Sequence, residues 1–365
     1  MENFIPTNSD KLKVVKGVEP PLSINPSAIK TSNSKAFNGI VTDEFFEGII
    51  GGDITFLSRA ITLIESNRHD HKKKAQQIID KCLPFSGKSI RIGITGVPGV
   101  GKSTFIEAMG TMLIREYHKK VAVLAVDPSS TITKGSILGD KTRMTELATE
   151  KHAFIRPSPS AGSLGGVARK TREAMILCEA AGFDIIIIET VGVGQSETTV
   201  HSMVDFFLLL MLAGAGDELQ GIKRGIIEMA DSIVINKADD LPEQKIKLAI
   251  RNYQNAIHLF PPSLSGWLTP VLSCSSLTGS GINDIWLEIE NYTNLTKDNG
   301  YFINHRREQA KFWFYETINN ELSAHFYNNK TISHKLKQLE KEVISDQISP
   351  FEAAQKLLEM YEKST

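Results

Sequence analysis

The stretch that decides the fold is Gly96-Val97-Pro98-Gly99-Val100-Gly101-Lys102-Ser103, which follows the apolar run Ile90–Thr95 and opens a helical pattern. A strand, a glycine-rich loop ending in Lys-Ser and a helix are the context of a phosphate-binding loop. The glycines let backbone N–H groups surround a phosphate at the positive end of the helix. We expect Lys102 to bridge the β- and γ-phosphates, Ser103 to bind Mg²⁺, and Thr104 to complete the loop.

Short apolar runs alternate with helical patterns on both sides of this loop. Near-continuous apolar strands joined by helices indicate a parallel sheet that is buried on both faces. The predicted class is α/β: a P-loop NTPase with a mostly parallel central sheet flanked by helices and helical extensions at both ends. The predicted strands are Ile90–Thr95, Val121–Val126, Ile185–Ile188, Phe206–Leu212, Ser232–Ile235 and Val271–Ser275. The predicted helices of this region are Lys102–His118, Arg169–Ala181, Glu243–His258 and Ile282–Tyr292.

A second motif, Asn236-Lys237-Ala238-Asp239, follows the run Ser232–Ile235 and predicts which base is bound. The Asp239 carboxylate can accept hydrogen bonds from guanine N1–H and from its amino group, whereas adenine offers neither donor there. A carboxylate left unpaired against adenine costs on the order of 1–3 kcal/mol. The nucleotides expected are therefore GTP and GDP. Ser275-Ser276-Leu277, at the end of the next strand, is expected to give a backbone contact to the base O6.

An acidic residue follows the run Ile185–Ile188, in Glu189-Thr190-Val191-Gly192. Many GTPases have Asp-x-x-Gly at this place. We expect Glu189 to hold Mg²⁺ through a water and the Gly192 N–H to contact the γ-phosphate. The next residue, Val193, cannot orient an attacking water. The sequence therefore predicts slow intrinsic hydrolysis that a partner accelerates by ordering the site.

Two aspartates are further candidates for binding Mg²⁺ or positioning the nucleophile. Asp127 directly follows the run Val121–Val126, and Asp140 lies in Gly139-Asp140-Lys141-Thr142-Arg143. An aspartate before proline also starts turns, and a loop aspartate needs no catalytic role. The structural explanation stays open for both residues.

The pattern divides the chain into three regions. Residues 1–85 combine a polar lead-in with a helical pattern that we expect to pack as a layer on the next domain. Residues 86–295 form the predicted GTP-binding domain, and residues 296–365 form a C-terminal helical region. Ser349-Pro350 predicts the cap and first turn of a last helix.

An apolar stripe at four-residue spacing marks the C-terminal region. Two explanations account for it equally well: a dimerisation arm, or packing of the helix on the chain's own GTP-binding domain. The stripe consists of Ala310, Phe314, Ile318 and Leu322.

Composition predicts a soluble cytoplasmic protein. Of the 365 residues, 41% are hydrophobic and 23% are charged, and the net charge of -1 gives no reason to expect nucleic acid or an anionic membrane as partner. The most apolar run, Phe206–Leu212, is shorter than the roughly 20 residues that span a bilayer. The N-terminus lacks the pattern of a signal peptide. The three cysteines have no paired spacing, which favours a reducing compartment.

In combination, these motifs resemble the MeaB-type GTPases that are associated with methylmalonyl-CoA mutase, a family also described as arginine/ornithine-transport ATPases. The resemblance covers roughly residues 50–295. Besides the phosphate loop and the Asn236–Asp239 tetrad, the matching segments are Arg59–Glu65, Val126–Ser130, Gly139–Met144, Glu189–Glu197 and Gly214–Lys223.

The resemblance implies a homodimeric chaperone of an adenosylcobalamin-dependent acyl-CoA mutase, similar in fold to the nitrogenase-iron-protein-like branch of P-loop GTPases. Such a protein gates delivery of adenosylcobalamin and protects the mutase, with GTP hydrolysis as the switch. By position, the catalytic and Mg²⁺ set would be Lys102, Asp127, Asp140 and Glu189, with Ser103 as a metal ligand. The loop that transmits the nucleotide state to the mutase would contain Asp217, Glu218, Gln220 and Lys223. Without the resemblance, a glycine-rich surface loop would explain that segment better.

Other classes of function fit less well. A metallochaperone-type GTPase for metalloenzyme maturation needs Cys and His clusters at ligand spacing. His69 and His71 are the closest pair, and a solvated charged face explains them because Lys72–Lys74 follow without a nearby cysteine. A transport-associated ATPase conflicts with Asp239 and with the lack of a membrane-spanning pattern.

Overall fold

A single parallel sheet organises the molecule. The computed structural model describes residues 41–126, 144–157, 164–190, 197–213 and 224–363. The strands within these residues are β1 (Ile90–Gly96), β2 (Val121–Val126), β3 (Ala153–Arg156), β4 (Ile185–Thr190), β5 (Phe206–Leu212), β6 (Ser232–Asn236) and β7 (Val271–Ser273). They form a seven-stranded sheet in the order β3-β2-β4-β1-β5-β6-β7, and every neighbouring pair is parallel. The predicted α/β class with its parallel sheet is confirmed.

Helices cover both faces of this sheet. The N-terminal helices are α1 (Thr42–Ile50), α2 (Ile54–Glu65) and α3 (His69–Cys82). Those associated with the sheet are α4 (Lys102–Arg115), α5 (Leu164–Ala180), α6 (Glu197–His201), α7 (Arg224–Glu228), α8 (Glu243–Ile257) and α9 (Ile282–Asp298). The C-terminal helices are α10 (Tyr301–Asn328), α11 (Lys330–Ile344) and α12 (Pro350–Glu362).

Side chains of the central strands alternate between two apolar cores. In β4, Ile186 and Ile188 belong to one core, and Ile185 and Ile187 belong to the other. All four are buried, because successive side chains of a strand point to opposite faces and helices cover each face. This two-sided burial explains why the strands are near-continuous apolar runs in the sequence.

The N-terminal helices form the layer that the sequence predicts. Leu57 of α2 and Ile78 of α3 share a core with Ile186 of the sheet. The turn between α1 and α2 ends at Asp53, whose carboxylate accepts a hydrogen bond from the Thr55 N–H at 2.7 Å and so caps α2. The helical pattern over this region is therefore three short helices rather than one.

The long helix α10 is held to the sheet by a buried ion pair. The Arg306 guanidinium donates two hydrogen bonds to the Asp205 carboxylate, at 2.7 and 2.6 Å, and a third to the Ser89 carbonyl oxygen at 2.7 Å. Beyond α10, helices α11 and α12 form a small core of their own. The predicted cap of the last helix is confirmed, since Ser349 Oγ accepts the Glu352 N–H at 3.1 Å.

In the part of the chain that the structure describes, the apolar stripe of α10 is exposed. Phe314, Ile318 and Leu322 are 61%, 39% and 58% exposed, respectively. The face that contacts the domain instead carries Gln309 and Trp313, which are buried. The described residues therefore give no support to packing of the stripe on the chain's own domain, and the dimerisation arm stays a prediction.

The remaining differences concern element bounds. No strand was predicted at β3, and α4 ends at Arg115 instead of His118, whose φ of +54° lies outside the helical region. Helix α9 continues past Tyr292 to Asp298, with Thr293 and Thr296 donating their hydroxyls to carbonyl oxygens of the preceding turn. Within the described ranges, no helix combines the length and apolarity required to cross a bilayer.

Candidate functional site

The glycine-rich loop between β1 and α4 has a backbone that requires glycine. Gly99 and Gly101 have φ angles of +79° and +93°, in the left-handed region that side chains disfavour. A Cβ atom at Gly96 would collide with the carbonyl oxygen of Leu210 on the neighbouring strand β5. The loop can therefore curve tightly and present its N–H groups at the start of α4, as a phosphate cradle requires.

Lys102 is buried at the first position of α4. Its Nζ donates hydrogen bonds to the carbonyl oxygens of Gly96 at 2.9 Å and Val97 at 3.3 Å. Burial lowers the pKa of Lys102, and the nearby carboxylates of Glu189 and Glu197 act in the opposite direction. The lysine thus lies across the loop, with its ammonium group at the place where a phosphate would need a positive charge.

Ser103 and Glu189 meet beside this lysine. The Ser103 hydroxyl donates to Oε1 of Glu189 at 3.0 Å. Glu189 lies near the end of β4, opposite Ile94 of β1, so the strand pairing brings it to the loop. Hydroxyl and carboxylate oxygens are the ligands that Mg²⁺ prefers, so the pair that the sequence predicts is assembled with suitable chemistry.

Asn236, the first residue of the predicted base-reading motif, connects the phosphate loop to the segment after β7. Its Nδ2 donates to the Val100 carbonyl oxygen at 2.9 Å. Its Oδ1 accepts from the Ser276 N–H at 3.2 Å and from the Ser276 hydroxyl at 2.8 Å. Asn236 is 1% exposed, so these bonds fix three loops relative to one another. This clamping arrangement depends on contacts far apart in the chain, and the sequence analysis did not foresee it.

Asp239 lies in an exposed turn next to this clamp. Lys237 has a left-handed backbone with φ of +59°, and a 3₁₀ turn follows over Ala238–Asp240. The Ala238 N–H donates to the Cys274 carbonyl oxygen at 3.0 Å, which ties the turn to the end of β7. Burial, and then the charge of Asp239, raise the pKa of the Cys274 thiol to about 12. The Asp239 carboxylate is therefore accessible to solvent, and its turn is held beside the loop after β7.

The predicted O6-binding segment forms the edge of a cavity. The Ser275 carbonyl oxygen accepts the Gly279 N–H at 2.9 Å, so the segment forms a tight turn. Leu277 in this turn is 81% exposed. A cavity of about 580 Å³ opens between this turn and α4, and Thr104 and Ser276 are among the residues that line it. The cavity is open to solvent and continues along α4 to Arg115, so only its end at Ser276 and Leu277 adjoins the predicted base contact.

Glu197 is a feature of the site that the sequence analysis missed. It is the first residue of α6 and is 3% exposed, and its charge acts on the pKa of Lys102 together with that of Glu189. The segment Glu189–Glu197 contributes to the family resemblance, but neither spacing nor composition indicates a second buried carboxylate at the phosphate loop.

Several predicted site residues lie outside the described residues. They are Asp127, Asp140, Gly192, Asp217, Glu218, Gln220 and Lys223. Among the described residues, no three or more His, Cys, Asp or Glu side chains come together as a metal cluster. His71, one of the two histidines weighed as metal ligands, has its Nδ1 2.9 Å from the Ser66 hydroxyl. The metallochaperone alternative therefore gains no support from these residues.

Comparisons with known proteins agree on one family. The sequence model of the family described as methylmalonyl Co-A mutase-associated GTPase MeaB matches residues 57–331. A probable GTPase of Mycobacterium tuberculosis is 49% identical over 318 residues, which cover 87% of this chain and 94% of the relative. GTPase ArgK of Escherichia coli is 46% identical over 299 residues, which cover 82% of this chain and 90% of the relative.

Similarity extends to a mitochondrial protein and to a solved structure. The mitochondrial methylmalonic aciduria type A homolog of Mus musculus is 42% identical over 332 residues, covering 87% of this chain and 79% of the relative. The crystal structure of a LAO/AO transport system kinase superposes with a TM-score of 0.70 at 37% sequence identity, covering 88% of this chain and 97% of that one.

Proposed function

The chain belongs to the family of methylmalonyl-CoA mutase-associated GTPases and is a P-loop GTPase, and we propose that it is a chaperone of an adenosylcobalamin-dependent acyl-CoA mutase. In this proposal it gates the loading of adenosylcobalamin and protects the mutase from inactivation. The client is methylmalonyl-CoA mutase or a close relative, because the family description names that enzyme and the mouse relative is named for methylmalonic aciduria.

The observation that carries the nucleotide part of the proposal is that Asn236, the first residue of the second motif, contacts both the phosphate loop and the turn after β7. One side chain holds the phosphate loop at Val100 and the predicted O6-binding turn at Ser276. This arrangement supports phosphate and base recognition at one edge of the sheet, where ligands of parallel α/β folds bind. Asp239 would then accept two hydrogen bonds from guanine, with Lys237 beside it.

The same edge fits Mg²⁺. Ser103 and Glu189 would hold the ion, together with Asp127 and Asp140 as the resemblance implies. Bound Mg²⁺ would supply positive charge against the β- and γ-phosphates. Lys102 would bind the same phosphates, and the loop N–H groups would orient them.

Intrinsic hydrolysis is expected to be slow and to depend on the partner. Val193 follows the predicted γ-phosphate contact Gly192 and has no group that could orient water. We assign the transmission of the nucleotide state to the loop with Asp217, Glu218, Gln220 and Lys223, in line with the family resemblance. A mutase that orders the site would then accelerate hydrolysis.

A homodimer and a cytoplasmic location complete the proposal. The stripe around Phe314 and Leu322 is exposed and so is available as the dimer contact. Cys82, Cys178 and Cys274 are buried free thiols, as expected of a protein in a reducing compartment.

The test is GTP turnover with and without a candidate mutase from the same organism. We expect the mutase to accelerate hydrolysis by at least about tenfold and to co-elute with the chain in gel filtration. Adenosylcobalamin transfer into apo-mutase should differ between GTP and GDP. Lys102→Ala is the control, since it should abolish basal and stimulated turnover together. The proposal is contradicted if no available adenosylcobalamin-dependent mutase either binds the chain or changes its turnover.

A further inference from the structure

The short helix α6 lies between the phosphate loop and the long C-terminal helix α10. At its first residue, Glu197 is buried and acts electrostatically on Lys102. The helix packs on β1 and β4, the two strands that carry the phosphate loop and Glu189. One end of α6 is therefore part of the surroundings of the phosphate-binding lysine.

The other end of α6 leads directly into a set of contacts with α10. The Ser202 carbonyl oxygen accepts the indole N–H of Trp313 at 3.1 Å, and the Val204 carbonyl oxygen accepts the Gln309 amide N–H at 2.7 Å. The rings of His201 and His305 are 6.3 Å apart, with an interplanar angle of 67°.

These α10 residues form one face of the helix. His305, Gln309 and Trp313 are spaced by four residues, which places them in a row. Gln309 and Trp313 are 4% and 7% exposed, whereas Phe314, the next residue along the chain, points to solvent. A shift of the backbone at Ser202 or Val204 would therefore change buried hydrogen bonds of α10.

Lys102 supplies a reason for α6 to respond to a nucleotide. Its ammonium group donates to the carbonyl oxygens of Gly96 and Val97 and is close enough to the buried Glu197 for that carboxylate to act on it. A phosphate that binds this ammonium group competes with those partners and brings negative charge toward Glu197. Buried carboxylates are sensitive to such a change because little water screens them.

We propose that α6 couples the phosphate loop to α10, so that triphosphate and diphosphate hold the His305–Trp313 face of α10 differently. The inference rests on the proposed GTP binding. It adds a connection from the phosphate loop to the C-terminal helix α10 through residues that the structure describes. Coupling is reciprocal: if the nucleotide changes α10, contacts of α10 must change the relative affinity for the two nucleotides.

The first test uses the unaltered full chain and hydrogen exchange. Amide exchange is compared for the protein with GDP and with a non-hydrolysable GTP analogue, both with Mg²⁺. We expect amides of residues 305–317 to differ by about fivefold or more between the two states. Equal exchange in α10, alongside a clear difference at residues 96–104, would overturn the inference.

The second test measures the ratio of GDP and GTP-analogue dissociation constants in variants. Trp313→Phe removes the indole N–H and reduces the ring while keeping an aromatic side chain, and Gln309→Leu removes the amide at similar volume. Each should change the ratio by about fivefold or more. Glu308→Leu is the matched control, because the Glu308 side chain is 74% exposed, and its ratio should stay within about twofold of the unaltered chain.

The outcomes separate this inference from the proposed function. If Gln309→Leu does not fold, Trp313→Phe and the exchange experiment on the unaltered chain still test the coupling between the phosphate loop and α10. Unchanged ratios in folded variants would contradict coupling through α6. No protection of residues 96–104 by any guanine nucleotide would contradict the proposed function itself.

Discussion

Among single residues, Asp239 is expected to decide base selection. It is exposed in the turn after β6 and is positioned by the Ala238–Cys274 hydrogen bond. Asp239→Asn replaces one acceptor oxygen by an NH₂ group, which suits the additional carbonyl of xanthine and opposes the amino group of guanine. We expect GTP affinity to fall by about tenfold or more and affinity for xanthosine triphosphate to rise. Competition binding with labelled nucleotide measures both.

The neighbouring carboxylate provides the control for this prediction. Asp240 is exposed in the same 3₁₀ turn and has no assigned contact with the base. Asp240→Asn should leave both affinities unchanged. Equal competition by ATP and GTP for the unaltered chain would show that Asp239 does not select guanine.

His201 should make stability depend on pH. Burial lowers the pKa of His201 from 6.5 to about 4, and the charge of His305 adds to this effect. Between those pH values the unfolded chain binds a proton that the folded chain does not, so the free energy of unfolding falls as pH falls through this window. The loss from His201 between pH 7 and pH 5 is about 2 kcal/mol.

Chemical denaturation at both pH values checks this effect. His201→Gln cannot titrate, so its free energy of unfolding should fall less over the same interval, by about 2 kcal/mol. Parallel pH profiles of the variant and the unaltered chain would mean that His201 takes up its proton equally in both states.

The sequence allowed prediction of those candidate site residues that belong to short local motifs. Gly96–Ser103 forms its loop from a run of neighbouring residues, and Glu189 and Asn236 lie near or at the ends of strands that are recognisable by themselves. The clamp made by the Asn236 side chain depends on Val100 and Ser276, which are distant in the chain, and Glu197 reaches Lys102 only through the packing of α6 on the sheet. One sequence does not specify such contacts. The catalytic and switch roles that fall on residues outside the described ranges stay predictions.

Among the elements, the anchor of α10 should be worth more than an exposed ion pair. Asp205 and Arg306 have side chains that are 2% and 14% exposed. Arg306→Gln leaves the Asp205 carboxylate buried without its cation, and we expect a loss of about 3 kcal/mol in the free energy of unfolding. Denaturant titration measures this loss.

Arg68 offers the matched comparison. Its ion pair with Asp70 has side chains that are 66% and 54% exposed, so Arg68→Gln should have little measurable effect on stability. A loss in Arg306→Gln as small as that in Arg68→Gln would show that the buried pair is not what fixes α10.

The accuracy of the element predictions follows from burial. β2 and β5 are apolar throughout because helices cover both faces, and their predicted bounds agree with those observed. β3 is at the edge of the sheet and spans only Ala153–Arg156. Its pairing with β2 defines it as a strand, and that pairing is a tertiary contact which no local pattern of four residues reports.

For the whole molecule, the exposed stripe of α10 should govern dimerisation. Replacing both Phe314 and Leu322 by Ser removes apolar area from a surface that is solvent-exposed in the single chain. We expect the mass measured by light scattering to change from dimer to monomer, with little change in the melting temperature.

A second exposed leucine tests whether this effect is specific. Leu264 is 94% exposed in the segment between α8 and β7 and does not belong to the stripe. Leu264→Ser should leave the mass unchanged. The stripe is not the dimer contact if the unaltered chain is already monomeric or if the double variant remains dimeric.

The close packing of Gly101 under Asn236 constrains how this protein could be re-engineered. A Cβ atom at position 101 would come within 3.0 Å of Asn236 Nδ2, and the φ of +93° disfavours any side chain there. A donor loop from another NTPase can therefore be transplanted only if it keeps glycine at this position and leaves the asparagine amide room to reach the Val100 carbonyl. We therefore expect the phosphate loop and the Asn236–Asp239 motif to be exchangeable only together. Replacing either segment alone would disturb the hydrogen bond between Asn236 and Val100.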